Sequence, residues 1–551
     1  MTTKCLPAFR RAPGRSRPRS AVLRGWTLAV ILGAAAPAPT LIAATNGHGT
    51  FQVEETTIAE IHRAILAKEL TATELVNLYL ARIKAYNGPA VVEPYGLLGP
   101  VKTVPHAKGI NALSTLNLRP ATRQKWGFDD RKARSMTDPI DATPAMPDAL
   151  EVAARLDEHF EKTGKLIGPL HGVVIALKDQ YDTFDMRTTS GADAFYANDR
   201  PPHDAEFVAR LRAAGAIILA KANLSEYADG IPRSSFGGTF ANPYDTERNP
   251  GISSSGSGSS VGANLVTCAI AEETGSSIRG PAHMNNAVGI SPTQELVSRH
   301  GMIQMGINTR VGPIARTVED AARILSVIAG YDVKDPLTAF SVGRTPTQPY
   351  ESFTQERSLK GMRIGVVREY MDKKLFSKAD EENIDIVSAA VEELKKLGAT
   401  VVDPGEGGEL LTDYIRKLHP TLMNASYTQA FPNVFPVGPD GKPQGDHIAT
   451  LVDYAVDPSK APGKFTLRDI GGFGGPGGGS NGEGRYTMNL YLRERGDATI
   501  KSLTDLYTRA NFYNDPNFAN RTSSLENSDK TMTMDMAVRM QRRFAVQTII
   551  L

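Results

Sequence analysis

The sequence predicts an α/β fold, a mixed or parallel sheet covered by helices, and three observations predict it. Apolar runs of strand length alternate with amphipathic segments of helical period along much of the chain. The composition is that of an ordinary globular protein, 41% hydrophobic and 22% charged over 551 residues. The 50 glycines and 35 prolines punctuate that alternation with loops around a scaffold. No internal repeat is visible.

Residues 1–44 are set apart by charge. They carry Lys4, Arg10, Arg11, Arg15, Arg17, Arg19 and Arg24 and no acid. An apolar stretch "GWTLAVILGAAAPAPTLIAA" follows the basic part, and Ala43 and Ala44 suit a signal peptidase. A cleaved signal peptide is expected, with a periplasmic or secreted product and no stable membrane span after cleavage. A membrane anchor is the competing reading, weakened by Pro37 and Pro39 inside the apolar stretch. Arg10-Arg11 is followed by "APGRS", a poor fit to a twin-arginine signal. Removing these seven charges from the net +2 leaves −5 on the body, which is no electrostatic footprint for nucleic acid. Once Cys5 is lost with the signal, Cys268 stands alone, so no internal disulfide or cysteine metal cluster is expected.

Beyond the signal, a single domain over 45–551 is expected. "TIAEIHRAILAKEL" and "TATELVNLYLARIKAYN" both open on a capping box, Thr57 with Glu60 and Thr71 with Glu74. In the second, Leu75, Leu78, Tyr79 and Ile83 recur at helical spacing. Residues 88–145 are proline-rich and aperiodic and read as a long loop or insertion. "DALEVAARLDEHFEKTG" reads as a helix, and Val173 to Leu177 as a buried strand. "AEFVARLRAAGAIILAKANL" reads as a helix ended by Gly215 and then a strand. Residues 257–267 read as a short helix and 268–272 as a strand. "TVEDAARILSVIAG", "MRIGVV" and "ADEENIDIVSAAVEELKKLGATVVD" continue the alternation, and 404–530 reads as a second insertion. The chain stops on "RRFAVQTIIL", an apolar helical run without a polar tail, as a truncated chain would.

One stretch, "GISSSGSGSS" at 251–260, has the composition of a flexible linker. Its chemistry is narrowed by exclusion. Neither it nor the glycine-rich "GGFGGPGGGSNGEG" contains the Gly-Lys-Ser/Thr of a phosphate loop, and 251–260 lacks the dinucleotide glycine spacing. A G-x-S-x-G match at Gly478–Gly482 has no apolar strand before it and reads as accidental. The ten histidines fall in no metal-ligand spacing, and His171 and His283 read as packed or loop residues. What remains is a serine activated by a lysine, which must be neutral to act as base. Lys178 closes the apolar strand "GVVIAL". By position alone it reads more readily as a strand-end lysine reaching for solvent.

Several segments in order alter that balance. "GPLHGVVIALKDQYDT" resembles the lysine segment of the amidase signature family. "NPGISSSGSGSSVGANLVTCAIAEETGSSIRGPAHMNNAVGISPT" resembles its Gly/Ser-rich signature. "AKANLSEYA", "FANPYD" and "SRHGMIQMGINTRVGPIARTVEDAARIL" resemble the segments between and after. The likeness covers residues 55–85 and 150–335 well, and its specificity lies in the order and spacing of the pieces. It implies the amidase signature fold, a mixed β-sheet core covered by helices on both faces. It implies also a Ser-Ser-Lys triad: Lys178 as base, Ser277 in "GSSIRGPA" as nucleophile, and Ser253, at the family's usual spacing before it, as the bridging serine. Relatives carry that bridging serine on a cis peptide bond. The oxyanion hole falls on the backbone N–H groups of Thr274, Gly275, Ser276 and Ser277.

The sequence departs from the family at a few places. Ser276 stands where glycine is usual and is a fallback nucleophile. Ile252 replaces a small residue, Gln180 a common asparagine, and Ala271-Glu272 a commoner Gly-Thr. The resemblance implies a hydrolase that cleaves amide C–N bonds through a serine acyl-enzyme, and the 1–44 segment implies that it is exported. It implies no cofactor and no metal and a small-molecule amide, anilide, peptide amide or carbamate as substrate; the charge of the body leaves no nucleic-acid partner expected, and homo-oligomerisation is left open. Two alternatives share the scaffold: the amidotransferase subunit that supplies ammonia for tRNA-linked amidation, which is cytosolic and works with partner chains, and a non-catalytic binding protein.

Overall fold

A computed structural model describes residues 51–548 apart from 356–357, 431–433, 461–481, 519–520 and 533–546. The expected signal peptide, most of the Gly478–Gly482 match and most of the terminal "RRFAVQTIIL" lie outside the described residues.

The chain enters on helices α1 (Ile58–Leu66) and α2 (Ala72–Tyr86). Both start where the capping boxes lie. The Thr57 and Thr71 hydroxyls accept from the backbone N–H of Glu60 and Glu74, and each glutamate accepts from its cap's N–H. After a short antiparallel pair, β1 (Val91–Val92) and β2 (Lys102–Thr103), come β3 (Leu113–Leu116), α3 (Pro120–Lys125) and α4 (Ala149–Thr163). Asp148 caps α4 and Gly164 ends it in the left-handed conformation, φ 66°. Then follow β4 (Val174–Lys178), α5 (Glu206–Ala213), β5 (Ile217–Ala222), a second short pair β6 (Arg233–Ser234) and β7 (Gly238–Thr239), α6 (Ser255–Gly262), β8 (Cys268–Glu273), α7 (Arg279–Met284), β9 (Val288–Gly289), β10 (Arg310–Ala315) and α8 (Val318–Ile328).

Six of these strands form one mixed sheet in the order β3-β5-β4-β8-β10-β9. Its centre is parallel, β5 and β8 flanking β4, and its margins are antiparallel. Parallel central strands need both faces covered. The two-residue alternation along β4 sends Val174 and Ala176 into one apolar cluster and Ile175 and Leu177 into the other. The first cluster takes Leu75 and Tyr79 of α2, Ala153 of α4 and Val261 of α6. The second takes Phe207 and Leu211 of α5 with Ile324 and Ile328 of α8. Cys268 is a free, buried thiol at the start of β8.

One expectation needs correction. The 88–145 stretch is not all loop, because β3 is a fully buried edge strand of the main sheet. Ser114 and Thr115 interrupt its apolar pattern, and the register shifts between Leu113 and Thr115, so no strand period survives to be read. The alternation over 362–402 does form strand, helix and strand: β11 (Arg363–Gly365), α9 (Glu381–Lys396) and β12 (Thr400–Val402). The two strands pair parallel in a sheet of their own. Both are mostly exposed and bury no residue fully, so they do not extend the core.

Residues 404–530 carry α10 (Leu410–Ala430), α11 (His447–Val456), α12 (Glu483–Arg495), α13 (Leu503–Arg509) and α14 (Arg521–Lys530). The last three bury Met488, Tyr491, Leu492, Leu503, Leu506 and Leu525 against Ala192, Tyr196, Tyr227 and Ile303. Arg233 ties this region to the 97–101 loop, pairing with Asp515 at 2.8 Å and donating to the carbonyls of Leu97 and Gly99. Among the described residues, no helix is long and apolar enough to cross a membrane.

Candidate active site

Because β4 and β8 run parallel and adjacent, their C-terminal ends open on the same edge of the sheet, where α/β folds place their ligand crevices. Lys178 is the last residue of β4, and Glu272 lies near the end of β8. Lys178 does not reach solvent; it is 0% exposed. Its Nζ donates to Ser253 Oγ at 2.5 Å and to Glu272 Oε2 at 2.8 Å.

The serine-rich stretch is no linker. All six of its serines are buried, and its second half is helix α6. Small residues are required because α6 runs hard against other backbone: a Cβ at Gly256 would sit 2.2 Å from the Asn223 carbonyl oxygen. The serine hydroxyls replace the solvent that such a polar stretch would otherwise need. Ser254 Oγ donates to the Glu272 carbonyl at 2.9 Å and accepts from its N–H at 3.3 Å. Ser257 Oγ donates to the Ile270 carbonyl, and Ser259 Oγ to that of Ala241. Asn285 Nδ2 closes the other side on the Pro250 and Pro281 carbonyls, at 2.7 Å each. Of the triple serine, Ser253 alone touches Lys178; Ser254 laces α6 to β8, and Ser255 Oγ is buried without a partner.

Ser253 adopts φ 66°, a left-handed conformation costly for a residue with a side chain. Ser225 holds it there: its hydroxyl accepts the Ser253 N–H at 3.2 Å, and its N–H donates to the Ser253 carbonyl at 3.0 Å. No cis peptide bond occurs among the described residues, so the cis bond expected from relatives is absent at Ser253.

After β8 the chain turns through Thr274, Gly275 and Ser276, all exposed, to Ser277, which is 7% exposed. Glu273 braces this turn. One carboxylate oxygen accepts the Ile278 and Arg279 N–H groups at 3.1 Å each, and the other accepts the Ser291 hydroxyl at 3.0 Å. Arg279 and Arg310 pair with it. Among the described residues, the amides of Thr274, Gly275, Ser276 and Ser277 have no hydrogen-bond acceptor. The Ser277 hydroxyl makes no hydrogen bond to Ser253 here. Ser276 is exposed, whereas Ser277 and Lys178 are buried.

Burial pushes the Lys178 amine below its ordinary value, while the adjoining Glu272 carboxylate and then Glu273 pull it up. Burial also raises the Tyr181 phenol far above its usual range, and the Glu272 charge adds to that. Burial works to raise Glu273, but the bonds from Arg279 and the Ile278 amide hold its carboxyl below the usual range.

Sequence reasoning passed over Ser225, which has no side-chain signal of its own in "AKANLSEYA". Glu272 registered only as a departure from family usage. Gln180 donates to the Ile303 carbonyl at 3.0 Å. His171 is a buried structural residue whose Nδ1 accepts the Ile167 N–H and whose carbonyl contacts His62. A cavity of about 300 Å³ is lined by Asp182, His203, His300, Tyr491, Glu494 and Arg495, and contains none of Lys178, Ser253 and Ser277. Among the described residues, His106, Asp245 and Glu247 bring metal-type ligand atoms within 4.8 Å of one another, largely on the exposed surface.

A model of the Amidase family matches residues 131–418. A glutamyl-tRNA(Gln) amidotransferase subunit from Symbiobacterium thermophilum is 42% identical over 261 residues, 47% of this chain and 51% of that protein. The corresponding protein of the same name from Azotobacter vinelandii is 36% identical over 356 residues, 63% of this chain and 60% of that protein. The chain thus spans about half to three-fifths of the length of these curated relatives. Among solved structures, the native peptide amidase from Stenotrophomonas maltophilia is 27% identical, with a TM-score of 0.55 over 89% of this chain and 75% of that one. A peptide amidase bound to the competitive inhibitor chymostatin is 26% identical, with a TM-score of 0.59 over 91% and 80% of the two chains.

Proposed function

The chain belongs to the amidase family, and on that premise we propose that it hydrolyses the C–N bond of a small amide through an acyl-enzyme on Ser277, with Ser253 and Lys178 as its proton relay. The observation that carries this reading is the 2.5 Å contact between Lys178 Nζ and Ser253 Oγ in a solvent-free setting. Burial favours a neutral amine, the form a base requires.

In the proposed cycle, the neutral Lys178 amine takes the Ser253 proton as Ser253 takes that of Ser277, whose hydroxyl turns toward Ser253 on substrate binding. Ser277 Oγ bonds to the carbonyl carbon, and the oxyanion meets the free amides of the 274–277 turn. The proton returns through Ser253 to the leaving amine as the C–N bond breaks, and water then hydrolyses the ester. One such amide donor contributes on the order of 3 kcal/mol to lowering the barrier. The substrate class is an aryl amide, peptide amide or carbamate. The likeness to peptide amidases supports the peptide amide among these. The basic and then apolar 1–44 segment supports an exported enzyme, tested by sequencing the N-terminus of the protein recovered from the periplasm.

The test is turnover of a panel of p-nitroanilides, peptide amides and carbamates by wild type, Ser277→Ala and Lys178→Ala. Both variants are expected to lose about a thousandfold or more in kcat/KM. Near-wild-type turnover by either one sinks the assignment. A second reading, a component of a tRNA-dependent amidotransferase, is supported by the names of the curated relatives. Copurification with tRNA-binding subunits would favour it. A folded protein that a fluorophosphonate never labels at Ser277 would favour a non-catalytic scaffold.

A further inference from the structure

Glu272 stands where the family resemblance leads one to expect a small hydroxyl residue, and it changes what Lys178 touches. Its carboxylate is 1% exposed and is held at both oxygens. Oε2 accepts from Lys178 Nζ at 2.8 Å, and Oε1 accepts from the Thr274 hydroxyl at 2.8 Å. Ser254 fastens its backbone on both sides. The carboxylate is therefore a built part of the site, wedged between the lysine and the turn that carries Ser277.

The other groups around it leave the pair to itself. From β4 comes Lys178, and from the turn after β4 the buried Tyr181, whose hydroxyl has no hydrogen-bond partner. From β10 the residue opposite Glu272 is Val311. The neighbouring Glu273 carboxylate is turned to Arg279 and Arg310. The serines of the α6 loop are uncharged. Among the described residues, Lys178 is thus the cation in contact with Glu272, and Glu272 the anion in contact with Lys178.

We propose that Glu272 is a positioning residue that holds a proton on Lys178, so that this chain uses a Lys–Glu pair rather than a lone lysine as its base and switches on in alkaline solution. This rests on the amide-hydrolase reading given above. The carboxylate has two opposed consequences. It stabilises the ammonium, so fewer molecules carry a free amine near neutrality. It also makes that amine, once free, a stronger acceptor for the serine proton, and it stabilises the ammonium formed as Ser277 attacks. Neutralising it should move both, in opposite senses. Small uncharged residues at this position avoid the trade by leaving the lysine to burial alone.

The experiment is the pH profile of kcat/KM for wild type and Glu272→Gln on a p-nitroanilide, paired with the pH dependence of Ser277 labelling by a fluorophosphonate. The acidic limb of Glu272→Gln is expected about 1–3 pH units below that of wild type, the effect of removing one contacting opposite charge. Its alkaline plateau is expected below the wild-type plateau, so that the two profiles cross. A limb at the wild-type pH, whatever the loss in rate, overturns the proposal, because a merely structural glutamate would lower activity without moving the limb. If Glu272→Gln does not fold, Glu272→Thr is read by the same shift. If neither folds, the wild-type labelling rate decides: it should climb through the alkaline range, and a rate flat between about pH 6 and 10 overturns the proposal. A wild type that neither hydrolyses nor labels at any pH removes the hydrolase reading and this inference together. An active wild type with an unshifted Glu272→Gln limb removes this inference alone.

Discussion

Replacing Lys178 by methionine isolates the buried charge pair from the chemistry it is proposed to perform. Methionine keeps an unbranched apolar side chain, one heavy atom shorter than that of lysine, and deletes the ammonium. Both partners are essentially without solvent, 0% and 1% exposed, and 2.8 Å apart. After the change Glu272 retains the Thr274 hydroxyl on Oε1, but Oε2 faces a thioether. Removing one member of a buried pair costs about 3–5 kcal/mol, and the surviving Thr274 bond places the expected loss near the lower end, at about 3 kcal/mol. Glu272→Gln should cost less, about 1–2 kcal/mol, because burial already favours the neutral amine left behind. The double variant Lys178→Met/Glu272→Gln should recover about 2 kcal/mol relative to the sum of the singles. Urea unfolding of the four proteins at neutral pH, followed by far-ultraviolet circular dichroism, gives all four corners of the cycle. A Lys178→Met protein within about 0.5 kcal/mol of wild type, or an additive double variant, would refute the reasoning.

Two further outcomes test the frame around the site. Gly256→Ala places a Cβ 2.2 Å from the Asn223 carbonyl oxygen and 2.6 Å from that of Ala112, both backbone atoms that cannot rotate aside. A loss of about 1–3 kcal/mol is expected from that crowding, together with a loss of hydrolysis as α6 shifts under Ser253. Gly275→Ala, whose Cβ meets nothing within 4 Å, is the control and should leave the melting temperature unchanged. Burial, and then the charge of Arg323, lower His62 from 6.5 to about 4. Its folded value is depressed, so between those two values the unfolded chain binds more protons, and stability falls on acidification through that window. His62→Gln should remove an acid sensitivity on the order of 3 kcal/mol between about pH 7 and 4, read from urea midpoints across the range. An unchanged slope against pH would exclude His62 as its source.

Local patterns carried much of the scaffold. The Thr57 and Thr71 capping boxes, the Asp148 to Gly164 helix and the apolar β4 run each advertise themselves within a few residues, since capping, turn chemistry and periodic burial are short-range effects. β3 was not legible, because "LSTL" is half polar and is buried by its neighbours β5 and α6 rather than by its own pattern. β11 and β12 look like strands of a main sheet in sequence, and only their pairing shows that they form another. Composition made 251–260 a linker, whereas the hydroxyl bonds to Glu272, Ile270 and Ala241 make it a buried helix and loop.

The sequence by itself singled out the candidate residues: a lysine closing an apolar strand, a serine cluster, and a small-residue turn before Ile278-Arg279. What touches what was decided by the tertiary structure alone. Lys178 meets Ser253 across 75 residues of chain and Glu272 across 94, and the second meeting follows from the parallel pairing of β4 with β8. Ser225, invisible as a motif, holds Ser253 at φ 66°. The physical reason is range. Caps and periodicity act over one or two turns of chain. The dielectric around Lys178 and the charge set against it are made by segments that share no sequence neighbourhood until the sheet has formed.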